Sequence, residues 1–79
     1  VRNPFRKIRE ENQATLRDFA LLLGVSVPFL MDAEAGVPGD PAAILSALAG
    51  LGHDPDRLRE EYRSWREARA AEIRERLRF

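Results

Sequence analysis

Apolar positions recur along this chain at helical spacing, and no stretch alternates apolar and polar residues as a half-buried strand would. Phe5, Ile8 and Arg9 open a first helix just after Pro4, and Asn12-Gln13-Ala14 breaks it. Thr15 stands three residues before Asp18, the spacing of a capping box with Asp in place of Glu. Leu16, Phe19, Ala20 and Leu23 follow on one helical face, and Gly24 closes that second helix. Ser26 then caps a third helix, with Pro28 in the first turn, where a missing N–H costs nothing, and Leu30 and Ala33 pointing inward. Gly36, Pro38 and Gly39 mark the next loop. Asp40-Pro41 and Asp54-Pro55 each read as a cap followed by the first residue of a helix. Ile44, Leu45, Leu48 and Leu51 give the fourth helix its buried face, with Gly52 closing it. The fifth runs from Pro55 to about Leu77, roughly 34 Å at 1.5 Å per residue. The fold class is therefore all-α: five helices, the last one long.

These periodicities predict that Phe19, Leu23, Val25, Leu30, Leu45 and Leu48 are buried together. The fifth helix carries its own apolar stripe of Leu58, Tyr62, Trp65, Ile73 and Leu77, interrupted by Arg69. That stripe has two readings. It packs back on the chain's own bundle, or it forms the seam of a homodimer, and the second is expected because a stripe this long must be covered by something. Arg57 with Glu61, Arg63 with Glu67 and Glu72 with Arg76 stand at i, i+4, where exposed pairs add a few tenths of a kcal/mol.

Seventy-nine residues, 44% of them hydrophobic, form one small domain with a real core. A domain of this size is marginal alone, which makes self-association a natural source of further burial. The chain has no cysteine, which excludes disulfides, a thiol nucleophile and a cysteine zinc site, and which fits a reducing cytoplasm. No apolar run approaches the ~20 residues needed to span a bilayer, and no signal-peptide pattern is visible. Net charge is zero but unevenly laid out: residues 1–23 carry five basic and three acidic side chains. Residues 24–54 carry four acids and no Lys or Arg, and residues 55–79 carry eight Arg against six acids. Any basic surface must come from the two ends.

The run TLRDFALLLGVSVPFLMDAEAG resembles the central motif of the Cro/CI-type helix-turn-helix family, also called the XRE family. Phe19-Ala20 stand where the family has an apolar residue followed by Ala, Gly24-Val25-Ser26 match its turn, and Leu30 with Glu34-Ala35-Gly36 match the end of its recognition helix. Ile8-Arg9-Glu10 match the first helix and Ile44 to Gly52 the fourth, so the resemblance covers roughly residues 5–58. It implies a lambda-repressor-like bundle with a core over about 4–58; the helix over about 55–78 extends beyond what that domain needs and is expected, from its apolar stripe, as a dimerisation element. The resemblance also implies a transcriptional regulator that binds duplex DNA, as a homodimer. The helix starting at Ser26 would then enter the major groove. Val27, Pro28, Phe29, Met31 and Asp32 would lie toward base edges and Arg17 toward a phosphate. The segment departs from the family where Ala35 and Val37 replace positions that are often basic, and where Met31 replaces a frequent Ser.

Each of these residues has more than one reading. Val27, Pro28, Phe29 and Met31 suit thymine methyl groups or a patch that binds another protein, and Phe29 and Met31 also suit partial cover for the core. Asp32 suits cytosine N4 or plain solvation. A basic rim of Arg6, Lys7, Arg9 and Arg17 beside the third helix would favour DNA; a continuous apolar or acidic patch would favour a protein partner. His53 reads as an ordinary loop residue. The sequence holds no glycine-rich phosphate loop, metal-ligand cluster or nucleophile constellation, so neither an enzyme nor a cofactor is expected.

Overall fold

A computed structural model describes residues 2–78. It has five α-helices and, among those residues, no strand: α1 (Pro4–Glu11), α2 (Leu16–Leu23), α3 (Val27–Ala35), α4 (Ala42–Gly50) and α5 (Pro55–Leu77). Four of the five starts are fixed by a side-chain cap. The Asn3 Oδ1 accepts from the Phe5 and Arg6 amides, Thr15 from Asp18, Ser26 from Phe29, and Asp54 from Asp56 and Arg57. Only the forward half of the Thr15–Asp18 box forms.

The start of α4 differs from expectation. Asp40 is not its cap: Pro41 takes that position with φ −80° and ψ 64°, and no side chain caps the helix. Asp40 thus lies one residue too early to reach the free amides of the first turn. Its carboxylate faces Arg59 instead, at 3.5 Å.

The core is drawn from every helix. Phe5, Phe19, Ala20, Leu23, Leu30 and Ala33 meet Ile44, Leu45, Leu48, Leu58 and Tyr62. Each large side chain buried here is worth about 1.5–3 kcal/mol relative to exposure. Val25 is only half-buried at the edge of this cluster. Leu51 is 53% exposed, because α4 ends at Gly50 and the helical phase that buries Ile44, Leu45 and Leu48 stops before reaching it. The core also runs past residue 58, since Tyr62 is 1% exposed with its ring 5.0 Å from that of Phe5. No helix among the described residues is long and apolar enough to cross a membrane.

Candidate nucleic-acid interface

Three residues reverse the chain between α2 and α3. Gly24 adopts φ +70°, a left-handed conformation that side chains with a Cβ resist. Its amide reaches the Leu21 carbonyl at 3.2 Å and the Val25 amide reaches Ala20 at 3.1 Å, so the last carbonyls of α2 are satisfied as the chain turns. Ser26 then starts α3 by accepting from Phe29 at 3.1 Å. Phe19, Ala20 and Leu23 of α2 and Leu30 and Ala33 of α3 turn inward to the core. Pro28, Met31, Asp32 and Ala35 are left on the outer face of α3. Val27 and Phe29 belong only partly to that face. Both are half-buried and packed against the core, so they give the outer surface less than the sequence suggested. Ser26 is exposed, but its hydroxyl is already engaged as the cap.

The expected basic rim is thinner in the structure. The Arg9 guanidinium donates from two nitrogens to the Glu34 carboxylate, at 2.8 and 2.9 Å, and to the Ala14 carbonyl at 3.2 Å. Both side chains are largely covered. The hydrogen bond to Glu34 is the largest influence raising the Arg9 pKa above its ordinary value, with burial opposing it. Arg9 therefore ties α1 to α3 and is withdrawn from any phosphate. Arg2 and Arg6 both face Glu10. Lys7 borders a groove shared with His53, Asp54 and Arg57, at the junction of α1 with the start of α5. Arg17 is exposed and makes no ion pair among the described residues.

The two helix starts differ in what they offer an anion. At α3, Pro28 has no N–H and the Phe29 amide is held by Ser26, so only the Val27 amide remains open in the first turn. At α2, the Leu16 and Arg17 amides remain open beside the Arg17 side chain, with Asp18 capped by Thr15. The start of α2 therefore leaves more free donors for an anion than the start of α3 does.

The residues expected at a dimer seam divide in two. Tyr62 is a core residue of its own chain, and its hydroxyl donates to the Pro38 carbonyl at 2.6 Å. Burial pushes its pKa up, with nearby Arg66 pulling the other way. Tyr62 has no surface left for a second copy. Trp65 is half-buried, stacked 6.0 Å from Tyr62 and seated over Gly36. Ile73 is partly covered and Leu77 is exposed.

Two residues escaped the sequence reading. Asn3 bonds the end of α3 as well as capping α1, and Arg66 donates to the Gly36 carbonyl at 2.9 Å. Asn3-Pro4 has the same cap-and-start form as Asp54-Pro55, so the capping half was readable. The reach to α3 was not. No protein-family model, no curated protein and no solved structure matches the chain.

Proposed function

We propose that this chain is a transcriptional regulator of the Cro/CI-like helix-turn-helix kind that binds duplex DNA in the cytoplasm through α2 and α3. The observation that carries the reading is the pairing of an outward face on α3 with an anion-ready start on α2. Pro28, Met31 and Asp32 stand free on α3, while Arg17 and two open amides stand at the start of α2. Phosphate contacts from α2 would set the register, and α3 would read base edges, Met31 by apolar contact with thymine methyls. A homodimer fits the two-fold symmetry of such sites, with the outer half of α5, around Ile73 and Leu77, as its seam.

With Arg9 tied to Glu34, few cations remain for phosphates, so the salt dependence should be shallow. The slope is about −0.9 per phosphate neutralised. The test is binding to genomic DNA fragments at low and moderate salt. Arg17→Ala should weaken binding to all sequences alike, and Met31→Ala should mainly relax sequence preference. Absence of binding to any fragment at low salt would overturn the reading.

A second reading, a helix-turn-helix used to bind protein, is favoured by one observation. Leu21 and Leu22 are 81% and 61% exposed on α2. Leu22 also joins Ile8, Ala14, Leu48 and Leu51 in lining an apolar groove of about 320 Å³. Leu22→Asp would abolish binding to a protein partner and leave DNA binding intact under the first reading.

A further inference from the structure

The last carbonyls of α3 have no partners within a straight helix and must find them elsewhere. Two are met locally, where the Val37 amide reaches Asp32 at 2.9 Å and the Gly36 amide reaches Ala33 at 3.2 Å. Donors from outside α3 supply further bonds, one of them a second bond to Ala33. The Asn3 Nδ2 donates to the Ala33 carbonyl at 3.0 Å and to the Glu34 carbonyl at 3.2 Å. The Arg66 Nε donates to the Gly36 carbonyl at 2.9 Å. Trp65 closes the same corner: a Cβ on Gly36 would lie 2.7 Å from its ring. The inner end of α3 is thus held by α1 and α5, while its start is capped by Ser26 and leans on the core through Val27 and Phe29.

Asn3 does this with one side chain serving two helices. Its Oδ1 accepts from the Phe5 and Arg6 amides at 3.0 and 3.1 Å and so starts α1, while its Nδ2 finishes α3. The residue is 5% exposed, so these bonds have little competition from water. An aspartate would keep the acceptor and serve α1 as well as asparagine does. It would also place a carboxylate oxygen against two carbonyl oxygens in a buried site, where an unpaired charge is costly.

We infer that Asn3 and Arg66 are positioning residues for α3: they bolt its C-terminal end to α1 and α5, and so fix the angle at which its outer face is presented. The anchoring is seen in the hydrogen bonds, beside the core packing of Leu30 and Ala33 and the Arg9–Glu34 pair; its consequence for DNA rests on the proposed function.

The test is amide hydrogen exchange on Asn3→Asp and, separately, Arg66→Met, which keeps the stem and removes the donor. In Asn3→Asp the Gly36 and Val37 amides should exchange about tenfold faster or more relative to Leu48 in α4, the effect of losing a buried hydrogen bond. Phe5 and Arg6, still capped, should keep their protection relative to Leu48. Arg66→Met should speed Val37 in the same way with α1 untouched. The emission of Trp65, the only tryptophan, should shift to the red in both. Acceleration of all amides by one common factor, or unchanged protection at Gly36 and Val37, would overturn the inference. If Asn3→Asp does not fold, Arg66→Met decides. Binding to the genomic fragments should fall at least about tenfold in the folded variants. If the wild-type chain binds no DNA, the proposed function fails while the exchange result still decides the role of Asn3 and Arg66.

Discussion

Residues 55–66 and 67–78, the two halves of α5 counted with its C-terminal cap Arg78, carry the same charges, four Arg and three acids each, yet they behave differently. In the first half every Arg is engaged. Arg57 meets Glu61, Arg59 meets Asp40 and Asp56, Arg63 meets Glu60 and Glu67, and Arg66 meets the Gly36 carbonyl. In the second half only Arg69 is paired, with Glu72, and Arg74, Arg76 and Arg78 have no ion pair among the described residues. The neighbours make the difference. Leu58, Tyr62 and Trp65 seat the first half on the body, whereas Ile73 and Leu77 stand on a part of α5 with little body beneath it. Charge composition alone does not decide the reach of the arginines: only in the first half, where the packed anchor holds the helix against the body, do two of them, Arg59 and Arg66, find partners outside α5, at Asp40 and the Gly36 carbonyl.

The contrast is open to direct attack. The largest effect should come from Tyr62→Ala, which removes a fully buried ring and leaves the Pro38 carbonyl without its donor. A loss of about 3–5 kcal/mol is expected, measured by urea unfolding. That is a large part of the stability of a chain this short. Gly36→Ala comes next. It forces a Cβ into a left-handed conformation and against Trp65, at a cost of about 1–3 kcal/mol, readable as a lower Tm with altered Trp65 emission.

Tyr62→Phe should cost about 1–2 kcal/mol for the lost bond to Pro38 and should also change the pH profile. Burial raises the pKa of Tyr62 in the folded chain above its ordinary value of 10.0. The folded state therefore holds its proton where the unfolded state has released it. Stability is full below about pH 10 and falls as pH rises toward the folded pKa. Tyr62→Phe should remove that share of the alkaline loss; an unchanged alkaline profile would place the tyrosine outside the core.

The smallest effects on folding belong to the outer half. Ile73→Ala and Leu77→Ala should each change stability by less than about 0.5 kcal/mol in the monomer. If the outer half is the dimer seam, Ile73→Asp should lower the mass seen in sedimentation at high concentration. An already monomeric wild type would remove the seam.

Much of the fold was readable from local signals. Gly24, Ser26, Pro28 and Asp54-Pro55 placed the ends of α2, α3 and α5, because a cap or a left-handed glycine acts within four residues of itself. The misreadings have two kinds of cause, local at the ends of α4 and long-range elsewhere. Asp40 looked like a cap, but Pro41 occupies that place with a non-helical ψ. Leu51 kept the period of α4 after the helix had ended. Phe29 and Val27 sit on the outer side of the motif in sequence but lean on the core in space. Arg9 counted toward a basic rim until its partner 25 residues away became visible.

Sequence alone therefore determined the number of helices, most of their ends outside α4 and most of their buried faces, since each rests on hydrogen bonds and periodicities within a few residues. Tertiary structure decided what the polar and aromatic side chains do. It sent Arg9 to Glu34, Tyr62 into the core, Arg66 to Gly36 and Asn3 to the end of α3, in each case across more than twenty residues. A long flexible side chain has many partners within reach in sequence. Only the packing of the helices leaves it one with both the right geometry and shelter from water.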